Sequence, residues 1–142
     1  MSKENKKKQF PIHIITGVLM AAVIVLLCVP AGFRYVHRTE ARQVLRHGKN
    51  LYLAVEVTAI QWEGTNKKFM DGDRSSGVTK LAEKEVTALS QVPGRYRVQS
   101  WSVEPDAKRE LWYYEGGYLA HLVSEGETNS DWTVYRMDEV LH

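Results

Sequence analysis

Apolar and polar positions divide the chain into three stretches with different periods. From Ile12 to Phe33 the sequence reads IHIITGVLMAAVIVLLCVPAGF, with no Asp, Glu, Lys or Arg. Twenty-two helical residues at about 1.5 Å each reach roughly 33 Å, enough to cross a hydrocarbon core of about 30 Å. A retained transmembrane helix over 12–33 is therefore expected. A cleaved signal peptide fits less well, because Val29 and Phe33 stand where cleavage after Ala31-Gly32-Phe33 would need small residues.

Beyond Phe33 the period stays helical but the pattern becomes amphipathic. Ala41, Val44, Leu45, Gly48, Leu51, Tyr52, Val55, Ala59 and Trp62 recur in steps of three or four and form one stripe. Arg34, Arg38, Arg42 and Arg46 follow one another at steps of four on the other side. Residues 34–62 thus read as an amphipathic continuation of the same helix, so 12–62 would make a rod about 75 Å long. Val57, Thr58 and Ile60 are β-branched and weaken the last turn.

Residues 63–77, EGTNKKFMDGDRSSG, read as a loop. In VTKLAEKEVTALSQV, Val78, Leu81, Ala82, Val86 and Leu89 could share one face of a short second helix, with a strand through Val86 and Thr87 as the alternative. Pro93-Gly94 ends either one. The last fifty residues change to period two: RYRVQSWSV, ELWYY, YLAHLV and DWTVYRM are rich in aromatic and β-branched residues. Glu115-Gly116-Gly117 marks a hairpin, and SEGETNSD a loop before the last run. The apolar parity of Tyr96 and Val98 against Trp101 and Val103 predicts a bulge near Gln99-Ser100. The class is α+β: a long N-terminal transmembrane and amphipathic helix packed on a small antiparallel β-sheet. Residues 1–11 form a basic tail, and 63–142 an α+β head ending in a β-meander.

Charge sharpens this division. Residues 1–33 carry a net +3 and residues 34–49 a net +4, whereas from residue 50 ten basic side chains face fifteen acidic ones. An acidic head above a basic neck argues against nucleic acid as a partner. The single cysteine, Cys28, lies in the apolar run and cannot form a disulfide within the chain. Lysines 3, 6, 7 and 8 favour a cytoplasmic N-terminus, although the arginines on the far flank nearly balance them.

Candidate chemistry is sparse. His13 is the one ionisable group at the edge of the apolar run, where it could contact a neighbouring helix or reach the headgroup layer. Gly17 and Ala21 form a small-xxx-small pair for close helix approach, beside Ala22. Pro30, with Gly32 close by, predicts either a kink or local unwinding at the lipid boundary, or a simple helix end there. The arginines could bind anionic lipid headgroups, meet the acidic head of another copy, or stay solvated. Met70-Asp71-Gly72-Asp73 reads as a turn, lacking the spaced carboxylates of a calcium loop. No nucleophile with a base, metal-spaced ligand set or phosphate-cradling loop is apparent, so neither an enzyme nor a cofactor is expected.

The stretch VPAGFRYVHRTEARQVLRHGKNLYLAV at 29–55, with its proline late in the apolar run, aromatics Phe33 and Tyr35, and Ala41-Arg42, resembles the stalk of type IV pilins and pseudopilins. The resemblance covers about sixty residues and the order of elements beyond them. It implies a structural, non-catalytic subunit, cytoplasmic at its N-terminus, whose head is extracytoplasmic and whose partners are lipid, other pilin-like subunits and assembly-platform proteins. The processing glycine of that family is missing from Lys8-Gln9-Phe10-Pro11, and His13 falls where its glutamate would. The alternative is a bitopic accessory or sensor protein whose head binds a ligand or partner.

Overall fold

The structure is a computed structural model that describes residues 12–126 and 130–138. The basic tail assigned to 1–11 lies outside the described residues. Two helices and four strands follow one another: α1 (Ile12–Gly64), α2 (Lys80–Ser90), β1 (Arg95–Ser100), β2 (Lys108–Glu115), β3 (Tyr118–Glu125) and β4 (Ser130–Arg136). The fold is α+β, with one long helix, apolar at its N-terminal end, and a four-stranded antiparallel sheet. The chain divides into two compact units, Met1–Arg38 and Thr39–His142.

The first unit contains the apolar part of α1. The helix continues through Pro30, which lies inside it, so neither the local unwinding expected there nor the alternative of a helix end occurs. Pro30 has no amide hydrogen, and the Leu26 carbonyl one turn earlier lacks that partner. Ile14, Ile15, Val18, Leu19, Met20, Val23, Ile24, Val25, Leu26, Leu27 and Val29 are all exposed. Among the described residues, this is the one helix long and apolar enough to cross a membrane. A surface so uniformly apolar needs an apolar surrounding.

The second unit is built around the remaining turns of α1. Every member of the expected stripe from Ala41 to Trp62 is at least half-buried, and Leu51 and Val55 are fully so. They share a core with Val78, Ala82 and Val86, and with Val98, Leu111, Tyr113, Tyr118, Ala120 and Leu122 of the sheet. Gly48 lets the sheet come close: a Cβ there would lie 2.8 Å from the Trp132 ring and 3.5 Å from the Ala120 Cβ.

The sheet is a meander in the order β1-β2-β3-β4. Tyr113 stands opposite Ala120, and Ala120 opposite Val134, so alternate residues of each strand face the core. The Gly116-Gly117 turn uses positive φ at both positions, +56° and +82°. That geometry matches the strand twist of a two-residue hairpin. The bulge falls between Val98 and Ser100 in the β1–β2 register, where the parity change places it.

One expectation, the core face of the second helix, needs correction, and the loop before that helix makes specific contacts. Segment 80–90 is the helix rather than the alternative strand, but only Ala82, Val86 and Ser90 of it are buried. Leu81 and Leu89, assigned to its core face, are 67% and 56% exposed. The helix is too short to bury more than one narrow stripe, and Leu81 lies about 100° from Ala82 around the axis. Loop 63–77 is also more ordered than its composition implies. Met70 bridges to Val78, and the Val98 amide donates to the Ser76 carbonyl at 2.8 Å, capping the outer edge of β1.

Candidate interaction surfaces

In the first unit, His13, Gly17 and Ala21 follow at four-residue steps and share a side of α1. Gly32, eleven residues beyond Ala21 and so about three turns on, falls on that side too, and Pro30 on the opposite one. All five are exposed, and a Cβ at Gly17 or Gly32 would meet nothing within 4 Å. The small residues therefore leave an open strip that another helix backbone can approach closely. Arg34 and Arg38 are exposed in this unit, as are Arg42 and Arg46 in the second.

In the second unit a buried cation ties α1 to the sheet. The Arg109 side chain on β2 is 7% exposed, against 32% for its partner Glu56. Its Nε donates to the Ser102 carbonyl at 3.0 Å, and its Nη1 donates to Tyr52 Oη and Glu56 Oε1, both at 3.3 Å. The guanidinium also lies 5.7 Å from the Trp101 ring centroid, a favourable cation–π arrangement. Three hydrogen bonds, one of them to a carboxylate, let the guanidinium be tolerated out of water. The alternation of β2 pointed Arg109 inward, yet its charge hid that position from a hydrophobic pattern.

A second polar chain runs from α1 to the hairpin end of the sheet. His47 Nδ1 lies 2.7 Å from Glu115 Oε2, Tyr113 Oη donates to the same oxygen at 2.6 Å, and the Gly94 amide donates to Tyr113 Oη at 3.1 Å. Burial, with the Glu115 carboxylate beside it, holds the Tyr113 phenol well above its ordinary value. Tyr118, hydrogen-bonded to Glu40 at 3.1 Å, is raised for the same two reasons. Tyr96 is pushed up to about 12, chiefly by burial. Neutral phenols are thus fixed parts of this wall.

Beside that wall, a groove of about 1160 Å³ passes between Glu83, Tyr96, Tyr114, Glu115 and the Gly116-Gly117 turn. On the sheet face turned from the core, Trp112 stacks on His121 at 3.7 Å between centroids, and His121 Nε2 lies 3.1 Å from Glu110 Oε1. His47 and His121 thus each lie against a carboxylate. Among the described residues no three His, Cys, Asp or Glu side chains are grouped to hold a metal.

The side of α1 away from the core carries Leu53, Val57 and Ile60, which are 57%, 46% and 51% exposed. In the sequence, Val57 and Ile60 stand out chiefly as β-branched residues that weaken a helix. The spacing of Leu53, Val57 and Ile60, four and then three, is the signal that this face needs cover.

Compared with protein-family models, with curated proteins and with solved structures, the chain matches none.

Proposed function

We propose that the chain is a structural, non-catalytic, single-pass membrane subunit of a type IV pilus-like or secretion pseudopilus assembly. Its N-terminus is cytoplasmic and its head extracytoplasmic. The observation that carries the reading is α1 itself: one helix, largely apolar and exposed at its start, whose later turns form the core of a head with an antiparallel meander. In lipid, helices associate by close packing rather than by hydrophobic drive. The exposed strip of His13, Gly17, Ala21 and Gly32 suits that packing with other pilin-like subunits or with an assembly-platform protein. Arg34, Arg38, Arg42 and Arg46 suit anionic headgroups, each worth about 1 kcal/mol near such a surface.

Amine-reactive crosslinking of the full chain in its native membrane tests this reading. A ladder of regularly increasing species, with the head cleaved only by protease added outside, is expected. A membrane-bound monomer that never forms higher species, or a head cleaved only from the cytoplasmic side, would sink it. One observation favours a second reading, an accessory or sensor protein: the groove beside Tyr96, Tyr114 and Glu115 is large enough for a small ligand. A ligand that protects this groove without forming a ladder would select that reading.

A further inference from the structure

We draw no further inference here: the strongest candidate, the groove at the hairpin end of the sheet beside Tyr96 and Tyr114, belongs to the surface already described, its carboxylates Glu83 and Glu115 are already held by Arg74, His47 and Tyr113, and nothing in the structure shows what would fill it.

Discussion

Leu51 and Leu53 stand two residues apart on α1 and should respond to the same substitution in opposite ways. Leu51 is 0% exposed and Leu53 is 57% exposed. Leu51→Ala removes the equivalent of three buried methylenes, about 2.4 kcal/mol at 0.8 each. If about 50 Å³ of the vacated space stays empty, a cavity cost of about 1.2 kcal/mol adds to it. The expected loss is thus about 3.5 kcal/mol, against less than about 0.5 kcal/mol for Leu53→Ala in dilute detergent, where copies do not meet. Urea denaturation followed by tryptophan fluorescence measures both, since Trp62 and Trp101 are in the core. With a slope of about 1.5 kcal/mol per molar urea, the Leu51→Ala midpoint should fall by roughly 2 M. Equal shifts, or a larger one at Leu53, would mean that α1 does not present this face to the sheet.

The remaining expectations concern the polar chains and the turns. Glu56→Gln should cost about 1–3 kcal/mol, because it weakens a charged hydrogen bond to the buried Arg109. Combining it with Arg109→Met should recover part of the loss, as read in a double-mutant cycle. Gly77→Ala should destabilise strongly, since Gly77 has φ +76° and its Cβ would lie 1.9 Å from the Val98 carbonyl oxygen; the same assay applies, and a neutral result would refute the close approach. Tyr96 and Tyr113 hold their protons more tightly folded than unfolded. Their contribution to stability is therefore complete below pH 10 and declines above it, that of Tyr96 being lost as pH rises through about 12. Denaturation midpoints from pH 9 to 12 should fall, and less steeply in Tyr113→Phe.

Much of this architecture was legible because the periods of apolar residues are strong signals. The run 12–33 and the stripe from Ala41 to Trp62 were both set by helical spacing, and the glycine pair at 116–117 fixed the hairpin. Even the bulge was visible as a parity change between Val98 and Trp101. What failed to show was side-chain pairing across elements. Nothing local says that His47 meets Glu115, 68 residues away, or that Arg109 reaches Glu56 across 53 residues. Leu81 and Leu89 misled for a related reason: hydrophobicity predicts burial, whereas a helix lying at the edge of a core, or facing a partner, leaves such residues open. The outer face of α1 is hard to see in the sequence because Val57 and Ile60 are β-branched and signal a weak helix end before they signal an exposed apolar face.

In the function proposed above, α1 serves both as a membrane span and as the core of the head. Hydrogen–deuterium exchange of the full chain in lipid nanodiscs tests that most directly. Two protected stretches are expected: one through the apolar residues before Pro30, shielded by lipid, and one from Val44 to Trp62, shielded by the sheet. Rapid exchange across 44–62 beside a protected apolar stretch would leave an anchor but contradict the helix-braced head, and with it the assembly built on that helix.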